Sequence, residues 1–298
     1  MSEDLHAVPD RARALLRVTR LDGGSPAERD DRVVVEEPLE IRLAIGDAPV
    51  EPLLLTMRTP GRPTDFELAV GLLWAEGVVR SPEQVLHVGY CLDPDLSAEQ
   101  HFNVVTVTLS GDVTLDRVRL SRSLAVTSAC GVCGKTTLDQ LAIVGHEALD
   151  PAGGPRIAAS VLYALPDRLR NVQGIFADTG GLHAAGLFDS EGRLLAARED
   201  VGRHNAVDKI VGWALGQGRL PLEDGVLLVS GRAGFEILQK ALAAGIPIVA
   251  SVSAPSSLAV SLAERFGLTL IGFLRGERAN VYAGAQRLTG LGEAAPRA

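Results

Sequence analysis

The sequence predicts an α/β protein, with a parallel-sheet core over about residues 120–285 and a more antiparallel, β-rich portion from 30 to 120. Three apolar runs carry that prediction. GVLLVS (225–230), IPIVASV (246–252) and LTLIGF (268–273) are continuous rather than alternating. Helical stretches at 233–244 and 255–266 separate them. Fully apolar strands alternating with helices suit a sheet covered on both faces. With 298 residues, 46% of them apolar, the chain can bury a large core. Its three cysteines cannot build a disulfide framework and point to a reducing compartment.

Along the chain, residues 1–31 mix both charge signs with Pro9, Gly23, Gly24 and Pro26, and read as a loose arm with one short helical turn. In 32–45, Leu39, Ile41, Leu43 and Ile45 alternate with Glu40, Arg42 and Ala44, as half-buried strands do. Another strand is expected at 52–59. TDFELAVGLLWAEGVV then predicts a helix, with Thr64 and Glu67 spaced as a capping box. FNVVTVTL (102–109) alternates as a strand, and 150–156 reads as a loop. A short helix near 160–170, a strand near 173–178 and a hairpin over 181–200 with its turn at Ser190–Gly192 follow. Helix 205–216 places Val207, Ile210, Val211, Ala214 and Leu215 on one face. The expected organisation is an arm (1–31), a β-rich portion (32–120), an α/β core (121–285) and a tail (286–298).

Composition narrows the partners. The net charge of −8, with no long basic run, argues against nucleic acid, and 4% aromatics argues against base-stacking platforms. The N-terminus is acidic and lacks an apolar signal region. The most apolar stretch, 241–260, is broken by Gly245, Pro247 and Pro255 and does not read as a membrane span. A soluble, cytoplasmic protein without membrane partners is expected.

Five local patterns could carry chemistry. In SACGVCGK, Cys130 and Cys133 sit at a glycine-flexed turn entering a helix, where free N–H groups, the helix dipole and Lys135 favour thiolate. The alternative is plain packing of two small residues at a helix start. Cys91 is the one other cysteine and reads as a buried, inert thiol, so a structural zinc site lacks ligands. Zinc deamination is disfavoured, because no proline precedes Cys130 and no suitably placed H-x-E precedes it. DTGGLH would let Gly180 and Gly181 bring backbone close to a ligand beside His183, unless it is simply a tight hairpin entry. In REDVGRHN, Arg203, His204 and the following Lys209 could meet an anion at a helix N-terminus, or form a solvated, salt-bridged loop. SGRAG (230–234) is a strand–turn–helix anion cradle, but not a P-loop. FLRGERAN follows the last parallel strand, where open α/β sheets bind ligands; Arg275 and Arg278 could clamp phosphates there. Together the basic loops favour a phosphate-rich ligand.

These blocks, with EEPLEIRLA and TPGRPTDFELAVGLLWAEGVV upstream, resemble the FdhD family of formate dehydrogenase accessory sulfurtransferases over about residues 30–285. The resemblance implies a cytidine-deaminase-like α/β sandwich and a homodimer. It also implies a sulfur carrier that takes persulfide sulfur from a cysteine desulfurase. The sulfur would pass to molybdenum bis-molybdopterin guanine dinucleotide before that cofactor enters formate dehydrogenase. Carried over by position, Cys130 is the persulfide cysteine and Cys133 its partner. Phe273, Leu274, Arg275, Gly276, Glu277 and Arg278 contact the guanine dinucleotide, and no structural metal is implied. The chain departs from the family pattern in small ways. Ala129, Ala233 and Gly234 stand where serines are common, and an acidic residue common in the family near Phe66 is missing. A non-covalent cofactor-binding chaperone and a dithiol oxidoreductase are the alternative functions.

Overall fold

A computed structural model describes residues 11–61, 63–91, 101–116, 120, 148–151 and 153–291. Where the loose arm was expected, residues 13–34 form an antiparallel hairpin, β1 (Arg13–Arg20) and β2 (Ala27–Val34), turning at Gly23 with φ +63°. The sequence hid it because both strands are largely exposed and lack an apolar alternation. Cross-strand charge pairs hold it instead: Arg17 lies 3.1 Å from Asp30 and 3.7 Å from Glu28.

The β-rich portion is a four-stranded sheet. It contains β3 (Glu37–Ile45), β4 (Glu51–Arg58), β5 (Val85–Tyr90) and β6 (Val104–Leu109), in the order β4-β3-β6-β5. The outer pairings are antiparallel and the central β3–β6 pair is parallel. Helix α1 (Thr64–Ala75) covers one face, burying Leu68 and Leu73 against Leu39, Ile41, Val105 and Val107. The anticipated capping box does not form. Pro63 is the N-cap residue, Thr64 donates to the carbonyl of Gly61, and Glu67 turns away to pair with Arg198. A tertiary ion pair thus takes the carboxylate that local capping would have used.

After β7 (Ile157–Ala158) come α2 (Ala159–Arg170) and α3 (Gly174–Thr179), the latter where a strand was expected. The Glu199 carboxylate accepts hydrogen bonds from the Ile175 and Phe176 amides, holding the first turn of α3 from another strand. Short-range pattern cannot report such a cap. The second sheet contains β8 (His183–Phe188), β9 (Leu194–Asp200), β10 (Val226–Val229), β11 (Ile248–Ser251), β12 (Thr269–Arg275) and β13 (Arg278–Ala283). Their order is β13-β12-β11-β10-β8-β9. β10, β11 and β12 run parallel, as their unbroken apolar sequences require, while β8 and β13 pair antiparallel with the two ends of that trio. β14 (Leu288–Thr289) pairs with β7.

Helices α4 (Arg203–Gly216), α5 (Phe235–Ala243) and α6 (Ser257–Phe266) supply the core on one face of this sheet, and α2 packs on the other. The two sheets meet through α1 and α4, which cross at Gly71 and Gly212. Polar ties fix the start of α4. Asp200 accepts from Lys209 Nζ at 2.6 Å, from Asn205 Nδ2 at 2.9 Å and from the Thr59 amide at 3.2 Å. Arg58, the last residue of β4 and fully buried, forms a two-pronged pair with Asp65 and bonds the Phe102 carbonyl.

Candidate functional site

The parallel strands set the place of the site. Antiparallel pairing of β8 with β10 brings the start of β8, His183, to the carboxyl end of β10, and His183 itself pairs with Asp200 at the end of β9. The loops after β10 and β11 run side by side, with Ala233 bridged to Pro255. The β12–β13 turn leaves the same edge of the sheet. Candidate residues separated by almost a hundred positions therefore line one edge, beyond the carboxyl ends of parallel strands.

One group gathers around Gly231. A Cβ on that glycine would lie 3.2 Å from His183 Nδ1 and 3.8 Å from Arg203 Cδ, so its bare Cα lets both side chains lie against the turn. Arg232 is the next residue and is exposed. Burial, with the charges of Arg203 and Arg232, holds the His183 imidazole below its ordinary pKa, against the opposing pull of Asp200. Arg203 Nε is buried without a hydrogen-bond partner among the described residues. His204 Nδ1 lies 3.0 Å from Glu236 Oε2, joining the first turn of α4 to that of α5. Burial, then Arg203, Lys240 and His183, push His204 down to about 3, so it is neutral at pH 7. Burial raises Glu236. One turn deeper, Lys240 Nζ meets both Asp208 oxygens at 2.7 and 2.9 Å, and burial pushes Asp208 up to about 6. Glu236 and Asp208 escaped sequence reading. Their signal was the i, i+4 spacing of His204 with Asp208 and of Glu236 with Lys240 on two helices.

Other candidates fall elsewhere. Lys209, expected to face an anion, is instead buried against Asp200. Gly180 adopts φ +68° and closes α3, its amide bonding the Phe176 carbonyl; Gly181 lies against Val34 of β2. These two glycines end a helix and seat the N-terminal hairpin. The β12–β13 turn forms a second group, separated from His183 along the sheet by β10 and β11. Phe273, Arg275, Gly276, Glu277 and Arg278 line an open groove of about 820 Å³ with Tyr163 of α2. Leu274 points the other way, fully buried in the core. Phe273 holds φ +54°, unfavourable for a side chain of that size, and Arg275 Nε donates to the Val252 carbonyl at 3.2 Å. Cys91 is half-buried with Arg42 Nη1 at 4.0 Å. Cys130 and Cys133 lie outside the described residues. Among the described residues no cluster of three or more His, Cys, Asp or Glu could hold a metal, and no helix is long and apolar enough to cross a membrane.

Known proteins share this fold. The crystal structure of a protein assigned as a formate dehydrogenase accessory protein from Desulfotalea psychrophila superposes with a TM-score of 0.69. It covers 93% of this chain and 99% of that chain at 24% identity, a likeness of fold. "Sulfur carrier protein FdhD" of Mycobacterium tuberculosis is 51% identical over 282 residues, covering 93% of this chain and 99% of that protein. The protein of the same name from Streptomyces avermitilis is 50% identical over 272 residues, covering 91% and 94%. A model of the FdhD/NarQ family matches residues 34–289, a span that begins at the end of the N-terminal hairpin and takes in both sheets. With a family model matching residues 34–289 and about half of all aligned residues held in common with these relatives, the chain belongs to the FdhD/NarQ family.

Proposed function

We propose that this protein is a sulfur carrier and sulfurtransferase acting in the maturation of the molybdenum cofactor of formate dehydrogenase. The observation that carries the reading is the roughly half identity, over more than nine-tenths of the chain, to proteins named sulfur carrier protein FdhD. The basic sheet edge adds support, since a cofactor with phosphates on two nucleotide arms needs more than one cationic loop. In this reading the Cys130 thiolate attacks the outer sulfur of a cysteine desulfurase persulfide. A new S–S bond forms at Cys130, and the desulfurase cysteine leaves as thiolate. Cys133 then attacks Cys130. That closes a Cys130–Cys133 disulfide and frees the outer sulfur as sulfide, which replaces an oxygen ligand of the bis-molybdopterin guanine dinucleotide metal, the oxygen leaving as water. A cellular dithiol reductant resets the pair. The Phe273–Arg278 groove takes the guanine end, Arg203 and His183 take phosphate, and the carrier works as a cytoplasmic homodimer.

Intact-protein mass spectrometry after incubation with a cysteine desulfurase and cysteine tests this. The wild type is expected to gain sulfur, and Cys130→Ala is expected to gain none. Full loading of a Cys130→Ala/Cys133→Ala double variant would sink the carrier reading. Formate dehydrogenase activity restored by Cys130→Ala in a deletion strain would favour a non-covalent chaperone.

A further inference from the structure

We propose that His183, Arg203 and Arg232 form a phosphate-binding site, and that His183 takes up a proton as the phosphate binds. The site rests on the sulfur-carrier reading, which places a phosphorylated ligand at this edge; a ligand-binding role for the Arg232 side chain and the coupling of binding to protonation go beyond it.

Three cationic or ionisable side chains converge at the turn after β10 with little to neutralise them. His183 and Arg203 both lie against Gly231, and Arg232 follows directly. Neither arginine has a carboxylate at ion-pair distance among the described residues, and Arg203 Nε is buried and unpartnered. Leaving a buried guanidinium N–H unbonded is costly, so its position suits an acceptor supplied by a ligand. Two nearby carboxylates are committed: Asp200 to Lys209, Asn205 and two backbone amides, and Asp208 to Lys240. Glu236 lies near His204 and Arg203, and its buried Oε2, like Arg203 Nε, has no hydrogen-bond partner among the described residues. The first turns of α4 and α5, whose N-caps are Gly202 and Gly234 with no side-chain cap, add open N–H groups beside the cluster. Arg232 is exposed and Arg203 half-buried, so the site opens to solvent on one side.

The proton follows from the charges facing His183. Arg203 of α4 and Arg232 of the β10–α5 turn stand on the side of repulsion, Asp200 of β9 is the one attractive neighbour, and His204, held neutral, adds no charge. In the open site burial and these charges therefore disfavour the imidazolium form. A dianion between the two guanidiniums reverses the local field and favours imidazolium, which adds a third donor to the phosphate.

Isothermal titration of the full chain with inorganic pyrophosphate at pH 6.5 tests this, run in two buffers of different ionisation enthalpy. The expected result is binding with net proton uptake, seen as buffer-dependent heat. His183→Gln is expected to lose the uptake, and Arg232→Ala, an exposed position that does not threaten folding, to weaken binding tenfold or more. Arg203→Ala is expected to do the same, with Arg203→Lys recovering part. GDP that displaces pyrophosphate assigns the site to a nucleotide diphosphate; pyrophosphate undisturbed by GDP assigns it to a free phosphate compound. Buffer-independent heat, or affinity unchanged in both Arg232→Ala and Arg203→Ala, overturns the proposal. Normal sulfur loading of Cys130 with no pyrophosphate binding would defeat this inference alone. Pyrophosphate binding without loading would defeat the sulfur-carrier reading alone.

Discussion

Gly71 of α1 and Gly212 of α4 face each other so closely that neither has room for a side chain. A Cβ on Gly71 would fall 1.8 Å from the Asp208 carbonyl oxygen, and one on Gly212 would fall 1.9 Å from that of Glu67. The obstacles are backbone atoms in helix interiors, which cannot rotate away. This crossing joins the four-stranded sheet to the helices of the six-stranded one and carries α4, whose first turn presents Arg203 and His204.

Gly71→Ala is therefore expected to destabilise the protein by about 3 kcal/mol or more, although alanine is the better helix former by about 1 kcal/mol. Urea unfolding at pH 7 measures it. A neutral or stabilising result would mean that the two helices are not in backbone contact.

Lys240→Met leaves the Asp208 carboxylate buried without its cation. A loss of about 3–5 kcal/mol is expected, with partial recovery when Asp208→Asn is added. Equilibrium unfolding of the single and double variants gives the coupling. Additive effects would refute it.

His204 has a folded pKa depressed from 6.5 to about 3, so below pH 6.5 the unfolded chain binds the proton that the folded chain refuses. Its contribution is fully present above pH 6.5 and is lost as the pH falls toward 3. Between pH 6.5 and 5 the single group accounts for about 2 kcal/mol. The raised Glu236 acts with the opposite sign. His204→Gln is expected to flatten the pH dependence of the unfolding free energy over that interval; an unchanged slope would assign the acid sensitivity elsewhere.

Phe273 occupies left-handed backbone, which costs a non-glycine residue about 1–2 kcal/mol, and its side chain is 42% exposed at the groove. Phe273→Gly is expected to leave stability unchanged or raised while weakening GDP binding. Arg275→Ala is expected to weaken it by about 1.5–3 kcal/mol, the worth of a charge-assisted hydrogen bond. Calorimetric titration with GDP reads both; full affinity in both variants would remove the groove from the nucleotide site.

By itself the sequence determined the α/β class, the three parallel strands with their intervening helices, the hairpin over 181–200 and the family. Continuous apolar runs and helical periodicity are local signals, and β10, β11 and β12 formed where their sequences placed them. Elements stabilised from a distance were not legible. The hairpin of β1 and β2 rests on cross-strand charge pairs rather than apolar alternation, and α3 takes its cap from Glu199 on another strand. The site divided in the same way. Arg203, His204, His183 and the Phe273–Arg278 turn stood out as polar, glycine-punctuated motifs at element ends. Which of them meet was a tertiary decision. Antiparallel pairing of β8 with β10 put His183 on Gly231 beside Arg203. Asp200 drew Lys209 into the core, and β10 and β11 separate that cluster from the groove at Arg275. A motif announces what a side chain can do; the pairing of distant strands and the partners of buried charges decide which side chains meet a ligand.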